Sequence, residues 1–454
     1  MSEQTTTAPP GALDRFFKLS ARGSDPRTEG VAGLTTYLAM AYIVFVNPNF
    51  LSAAGMDPGA VFVATCLAAA LGTLVMGLWA NLPIAQAPGM GLNAFFAFTV
   101  VLGFGIEWET ALAATFVSGA LFLVLALTGV RGAIINAIPY QLKMAIGAGI
   151  GLFIAFIGLK NAGIVVPDPT TIASEGAEGT VVALGDLTVS ATLLAIFGLV
   201  ATALFLMRGL KGAVFLGILA TAAVGVVTGL LELPSGIVAA PPSLAPTFAA
   251  AFGAFGDLLS PELLLVIATM LFVDFFDTAG TLIAVTNQAG LLEEDGSLPG
   301  GNRSLVSDAV ATMGGAVLGT STTTSYIESA AGVGAGGRTG LSAVTTSALF
   351  VLTIFFSPLL SVVTAPVTAA ALVIVGVMMA RGLKDIEWDE LEIAIPAFVT
   401  VIAMPLTYSI ATGIALGLLL YPLLMVFKGK AREVHPVMYL LAALFTLFFL
   451  FLAE

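Results

Sequence analysis

Three acidic residues lie inside long apolar runs of this chain. Asp274 and Asp277 occur in MLFVDFFDTAGTLIAV, and Glu328 follows the hydroxyl-rich stretch GTSTTTSYI. A charge at the centre of a bilayer costs roughly 2.5–3.5 kcal/mol on insertion scales, so such residues mark substrate or ion pathways. Asp274 and Asp277 are three residues apart and are expected to project from one helical face. Carboxylates in this setting can accept N–H hydrogen bonds and bind protons, although either single aspartate could equally serve a structural role.

Asn93 is a fourth candidate, because its amide offers both a donor and an acceptor two residues beyond Gly91. Asp308 and Glu392 lie nearer the ends of their apolar runs and are expected at membrane interfaces. The single histidine, His435, falls in a basic connector and is expected at the surface. Proton handling is therefore assigned to the carboxylates.

Two apolar segments cannot be plain helices. The stretch PIAQAPGMGLNAFFAFTV (83–100) opens with prolines and glycines, and GTSTTTSYIESAAGVGAGGRTG (319–340) combines hydroxyl residues with a run of glycines. Each predicts a short extended piece followed by a half-helix. Irregular backbone at membrane depth is tolerated only where it is buried in protein or lines a cavity. Such a pair, in corresponding positions of two halves, points to the binding site of a transporter.

The composition is that of a polytopic membrane protein. Of 454 residues, 58% are hydrophobic and only 10% are charged, against about 25% charged in soluble domains. The N-terminal residues lack a signal peptide, and the single Cys66 excludes an intrachain disulfide. The sequence has no metal-binding cluster, nucleotide-binding loop or basic block for nucleic acid. We therefore expect a transporter without a cofactor or bound metal, and not an enzyme.

Apolar runs of about 20 residues predict fourteen membrane segments. A fifteenth run, 436–452, is shorter and its topology is left open. The fourteen segments are 31–51, 58–80, 86–103, 108–129, 140–160, 187–207, 212–231, 258–284, 303–319, 322–337, 339–360, 363–381, 391–407 and 409–428.

The charges orient these segments. With a cytoplasmic N-terminus, every Lys and Arg except Lys160 falls on the cytoplasmic side, as the positive-inside rule requires. Seven segments in each half force the second half to enter from the opposite side, which predicts inverted-topology repeats. The predicted parts are a tail (1–30), a first repeat (31–231), a linker (232–257), a second repeat (258–428) and a C-terminal segment (429–454).

Several long motifs closely resemble the azaguanine-type purine permeases, a branch of the nucleobase–cation symporter-2 family that carries hypoxanthine, guanine and adenine. The similarity extends from about residue 15 to 428. The motifs are GLTTYLAMAYIVFVNP (33–48), APGMGLNAFFAFTV (87–100), FVDFFDTAGTL (272–282), GTSTTTSYIESAAGVGAGGRTGL (319–341) and DIEWDELEIAIPAFVTVIAMPLTYSIATGIALG (385–417).

The resemblance implies proton symport by an elevator- or rocking-type alternating-access mechanism in the inner (plasma) membrane. It implies a core domain (31–129 plus 258–360), a gate domain (140–231 plus 363–428) and, by analogy, a homodimer. The expected partners are a purine base and the lipid bilayer, with no nucleic acid.

The resemblance also implies roles for individual residues. Tyr326 and Glu328 match a tyrosine–glutamate pair of the related uracil permeases, and Asp277 and Gly280 match an acidic residue followed three positions later by glycine. Thr281 stands where those permeases have a histidine, so a histidine-assisted proton path is not expected here. The predicted substrate site comprises Glu328, Asp277, Asp274, Asn93, Tyr326, Thr324 and Ala87. One of Asp274, Asp277 and Glu328 is expected to bind the proton, and the sequence leaves open which.

Three alternatives remain at this stage. An anion carrier of the same fold would favour helix N-termini and basic groups over converging carboxylates. An intramembrane aspartyl protease would need two aspartates facing each other across helices, whereas Asp274 and Asp277 share one helix. A passive channel would not need broken half-helices around buried acids.

Overall fold

The computed structural model describes residues 11–128, 139–168, 181–258, 260–293, 298 and 302–451. Within these ranges the chain is mostly helical, and nine helices are long and apolar enough to cross a bilayer. The first ten residues of the predicted tail, the end of the fourth predicted segment, part of the polar loop after the fifth and the last residue of the 436–452 run lie outside the described residues.

Most of the helices lie within predicted apolar runs, whereas the predicted segment 322–337 contains only a six-residue helix. In chain order they are α1 (Ala12–Phe17), α2 (Pro26–Met40), α3 (Ile43–Ala53), α4 (Pro58–Ala80), α5 (Met90–Phe104), α6 (Trp108–Thr128), α7 (Tyr140–Asn161), α8 (Ser190–Met207), α9 (Ala213–Val227), α10 (Pro261–Gln288), α11 (Arg303–Leu318), α12 (Ser329–Gly334), α13 (Gly340–Val362), α14 (Ala365–Asp385), α15 (Leu391–Thr407), α16 (Ile410–Phe427) and α17 (Pro436–Phe451).

The first predicted segment divides into two helices. α2 ends at Met40 and α3 begins at Ile43. Ala41 and Tyr42 between them keep helical backbone angles and form a tighter turn, in which the Phe45 N–H bonds the Tyr42 carbonyl (3.2 Å). Pro48 inside α3 lacks an N–H, so the carbonyl one turn earlier loses its helical partner. Tyr42, the second residue of this turn, is buried, and its hydroxyl points into the protein.

Both irregular segments are strand–helix pairs. Strand β1 (Gln86–Pro88) precedes α5, and strand β4 (Thr323–Ser325) precedes α12. The two strands pair antiparallel, with Gln86 opposite Ser325. A separate pair, β2 (Val165–Pro167) and β3 (Val182–Leu184), lies in the polar loop between α7 and α8.

The helices pack in two groups. In the first, α11 packs against α4 and α6, and α13 packs against α2 and α4. In the second, α14 packs against α7 and α8, and α15 packs against α7 and α16. The paired strands β1 and β4 belong to the first group, where β1 contacts α4 and β4 contacts α11.

A buried carboxylate anchors the start of α13. Glu29, fully buried in the first turn of α2, accepts hydrogen bonds from the backbone N–H groups of Arg338 (2.9 Å), Thr339 (3.1 Å) and Ser342 (3.2 Å). The first N–H groups of a helix have no partner within it, and a negative charge there opposes the positive end of the helix dipole. Glu29 therefore ties the first segment to the end of the second irregular segment.

Candidate functional site

The centre of the site is the antiparallel pair formed by β1 and β4 where the two irregular segments meet, the crossing of β1 and β4. The N–H of Tyr326 bonds the carbonyl of Ala85 (3.0 Å), and the N–H of Gly89 bonds the carbonyl of Thr322 (2.9 Å). Because hydrogen-bonded and non-bonded pairs alternate in an antiparallel ladder, Ala87 and Thr324 between them form a hydrogen-bonded pair. Their backbone groups hold the crossing together, so a ligand would meet both residues mainly through van der Waals contact.

Asn93 and Tyr326 both contact the Pro88 carbonyl at this crossing. The fully buried Asn93 amide oxygen accepts a hydrogen bond from the Ser321 hydroxyl, and its NH₂ lies 3.5 Å from the Pro88 carbonyl. The Tyr326 hydroxyl donates to the same Pro88 carbonyl. Pro88 has no N–H, so its peptide takes part in the crossing only as an acceptor.

Glu328 lies immediately before α12. Its side chain is half-buried, and its Oε1 accepts a hydrogen bond of 2.7 Å from the hydroxyl of Tyr42. The next residue, Ser329, accepts a hydrogen bond from the N–H of Ala85 through its hydroxyl (3.0 Å). The start of α12 is thus joined to the residue just before β1.

Asp274 and Asp277 have different surroundings although both lie on α10. Asp274 is fully buried, and its Oδ2 accepts a hydrogen bond from the Thr312 hydroxyl of α11 (3.1 Å). Its Oδ1 has no hydrogen-bond partner among the residues described. Asp277 is exposed, as are Gly280 and Asn287 further along the helix. Asp277 is therefore accessible to a ligand, whereas Asp274 faces the interior.

The sequence expectation for Asp308 was wrong. Asp308 is fully buried, and its Oδ1 accepts hydrogen bonds from Gln86 Nε2 (2.7 Å) and the Ser325 hydroxyl (2.9 Å). Its Oδ2 accepts one from the Thr278 hydroxyl (2.7 Å), which also bonds the Thr324 hydroxyl (2.8 Å). One carboxylate thus links β1, β4 and α10.

The incorrect expectation for Asp308 has a geometric reason: a strand advances further per residue than a helix. The chain turns at Gly319, which has a φ of +97°, and returns alongside α11. A strand advances about 3.3 Å per residue and a helix only 1.5 Å. Six extended residues after Gly319 therefore carry Ser325 past eleven helical ones, back to Asp308. The hydroxyl run TSTTTS was the signal that could have identified this partner.

The assembled site offers carboxylate acceptors beside a buried polar frame that includes Asp274 and Asp308. Glu328 and Asp277 present carboxylate oxygens. Among the described residues, Gln86 Oε1 and the hydroxyls of Thr322 and Thr323 have no hydrogen-bond partner, whereas the other amides and hydroxyls described above are paired. Within the described ranges, no group of three or more His, Cys, Asp and Glu side chains is placed to hold a metal ion. Such a site favours a small ligand that donates hydrogen bonds.

Comparison with known proteins agrees with the motifs. The model of the Permease family matches residues 27–416. The guanine/hypoxanthine permease PbuG of Bacillus subtilis (strain 168) is 53% identical over 449 residues, which cover 97% of this chain and 100% of that protein. The adenine permease AdeQ of Escherichia coli (strain K12) is 43% identical over 442 residues, which cover 96% of each chain. These relatives confirm the resemblance to the azaguanine-type purine permeases.

A solved structure supports the fold. The transmembrane domain of a cyanobacterium bicarbonate transporter, BicA, aligns with a TM-score of 0.61 at 13% identity, covering 86% of this chain and 97% of that one. At this identity the likeness concerns the fold alone. The matching family model, the full-length relatives and the apolar helices lead to one conclusion: this chain belongs to the Permease family and is a multi-pass membrane transporter, not an enzyme.

Proposed function

We propose that this permease imports the purine nucleobases hypoxanthine, guanine and adenine together with a proton. The observation that carries the proposal is that Glu328 follows β4 and that α10, which carries Asp277, contacts β4 through Thr278 and Thr324. The full-length relatives of this chain are named guanine/hypoxanthine and adenine permeases. Paired broken segments of this kind are typical of transporter binding sites at membrane depth, which supports a polar ligand bound beside Glu328.

The chemistry of a purine fits this site. Its planar edge presents ring N–H donors beside carbonyl or imine acceptors, and carboxylates accept N–H hydrogen bonds strongly. Glu328 and Asp277 supply the acceptors, with Ala87, Thr324 and Tyr326 forming the nearby surface. Asn93 acts by holding Ser321 near β1, since its amide oxygen is already engaged. A base lacking the matching N–H would leave one of these carboxylates unpaired once the ligand encloses it, and would bind more weakly.

One carboxylate of the site carries the proton. Asp277 is our first choice because it is exposed and, within the described part of the chain, no hydrogen bond or ion pair engages its carboxylate. Asp274 and Asp308 are both held by hydroxyl donors in the interior.

The proposed architecture comprises fourteen segments in two inverted repeats of seven. The first helix group corresponds to a core domain that carries the site, and the second to a gate domain. The N-terminus lies in the cytoplasm, the protein resides in the plasma membrane, and two copies form a homodimer. Relative movement of core and gate provides alternating access.

An anion carrier is not favoured. The likeness to the bicarbonate transporter concerns the fold, and the polar side chains that meet at the crossing are acids, amides and hydroxyls. An anion would be repelled by Glu328 and Asp277 unless both were protonated.

Uptake of labelled hypoxanthine into proteoliposomes tests the substrate. Competition by adenine, guanine, xanthine and uracil gives the specificity in the same assay. We expect saturable uptake that purines inhibit and uracil does not. Absence of saturable purine uptake by folded protein, together with uptake of sulfate or bicarbonate, would overturn the proposal.

A further inference from the structure

We propose that Tyr42 is a positioning residue for the substrate-binding carboxylate of Glu328. This inference rests on the proposed function, because it assigns a role to Tyr42 within the same site. Tyr42 holds one oxygen of Glu328 through its hydroxyl, so that the other oxygen is presented to the base.

The contact is direct and well defined. The Tyr42 hydroxyl donates to Glu328 Oε1 at 2.7 Å, and the tyrosine is only 2% exposed. Tyr42 lies in the short turn between α2 and α3, and its hydroxyl reaches Glu328, the residue just before α12. A ring enclosed in this way has few rotamers available, so the position of its hydroxyl is fixed.

A phenol suits this task better than a cation. It supplies one hydrogen bond to the carboxylate without adding a positive charge that would compete with the N–H groups of the base. A carboxylate has two oxygens, and Glu328 uses only Oε1 in this contact. The plane of the carboxylate is therefore set before the base arrives, which lowers the cost of ordering it on binding.

The other two nearby tyrosines hold different partners. Tyr326 donates its hydroxyl to the Pro88 carbonyl and so braces the strands. Tyr37 lies on α2, and its hydroxyl shares a 2.7 Å hydrogen bond with the Thr353 hydroxyl of α13. Tyr37 thus makes a helix-to-helix contact of the same kind in the same segment, without touching the site, and provides a matched control.

The first test compares Tyr42→Phe with Tyr37→Phe in hypoxanthine uptake by proteoliposomes containing equal amounts of folded protein. Loss of a hydrogen bond to a charged group should raise the KM of Tyr42→Phe roughly tenfold, with a maximal rate close to that of the wild type. Tyr37→Phe should keep the wild-type KM. An unchanged KM in Tyr42→Phe, beside normal wild-type uptake, would overturn the inference while leaving the proposed function intact.

A spectroscopic test separates positioning from packing. In infrared spectra recorded without hypoxanthine, the carboxylate band of Glu328 is identified as the one present in the wild type and missing from Glu328→Gln. Tyr42→Phe should shift this band, and Tyr37→Phe should not. A Glu328 band at the same frequency in the wild type, Tyr42→Phe and Tyr37→Phe would overturn the role of Tyr42. Failure of the wild type to take up purines would overturn the proposed function, and this inference with it.

Discussion

At the scale of single residues, the carboxylates near the crossing have separate tasks because their partners differ. Glu328 is half-buried and has one donor, Asp277 is exposed, and Asp308 receives three hydrogen bonds. A charged group that is free to meet a ligand should affect transport, whereas one enclosed by donors should affect stability.

Glu328→Gln should abolish high-affinity purine uptake and leave membrane insertion unchanged. The amide keeps the shape of the side chain but loses the negative charge. Because a hydrogen bond to a charged group is weakened, the affinity for the base should fall by a factor of about ten or more. Uptake into proteoliposomes measures this effect. Glu232→Gln, an exposed carboxylate in the linker, is the control, and near-normal uptake by Glu328→Gln would remove Glu328 from the site.

Asp308→Asn should destabilise the protein by about 1–3 kcal/mol, since the new NH₂ would face donors that now find an acceptor. The fall in Tm in detergent measures the loss. Asp277→Asn, whose side chain is exposed, should lower uptake with little change in Tm. Equal changes in Tm for the two variants would contradict the separation of binding and structural carboxylates.

At the scale of elements, the irregular segments depend on close backbone approaches. A Cβ at Gly340 would lie 1.9 Å from the carbonyl oxygen of Gly77, which belongs to α4. This distance is far below van der Waals contact, and backbone atoms cannot move aside as a flexible side chain would. The start of α13 therefore requires glycine where it passes α4.

Gly340→Ala should lower the stability of the fold by about 1–3 kcal/mol or more, as overpacking does. Gly147→Ala in α7 is the matched control, because a Cβ there would have no neighbour within 4 Å. Thermal unfolding followed by size-exclusion chromatography compares the two. A Tm for Gly340→Ala as high as that of Gly147→Ala would show that the approach of α13 to α4 can relax.

The same elements explain what the sequence could and could not predict. Proline and glycine in 83–100 and 319–340 mark irregular backbone, so both strand–helix pairs were predictable in position. No proline or glycine marks the turn at Ala41 and Tyr42 between α2 and α3. The contact between Tyr42 and Glu328 was therefore missed. Asp308 was missed because its partners come from an extended return of the chain, whose register depends on tertiary packing.

At the scale of the whole molecule, the two helix groups meet through an aromatic contact. Phe98 of α5 and Tyr408, at the end of α15, pack edge to face with ring centroids 5.6 Å apart. Tyr408 has a φ of +54°, unusual for a bulky residue, and also packs edge to face on Phe153 (5.3 Å). The amine of Lys160 lies 4.8 Å from the centre of its ring. This contact lies at the predicted outer ends of its helices.

Joining Phe98→Cys to Tyr408→Cys through disulfide bonds formed with a bifunctional methanethiosulfonate reagent, in a Cys66→Ala background, should stop uptake. In the proposed alternating-access movement, the two helix groups separate these residues when the site opens to the outside. Release of the link by a reducing agent should restore uptake. Full transport with the link in place would contradict a movement between the two groups at this contact.

The central claim is that purine and proton cross the membrane through one carboxylate site. Proteoliposomes loaded with a pH-sensitive dye test it directly when unlabelled hypoxanthine is added outside without an imposed gradient. We expect internal acidification with wild-type protein, inhibited by guanine and adenine, and none with Glu328→Gln. Hypoxanthine uptake by the wild type without any acidification would contradict it.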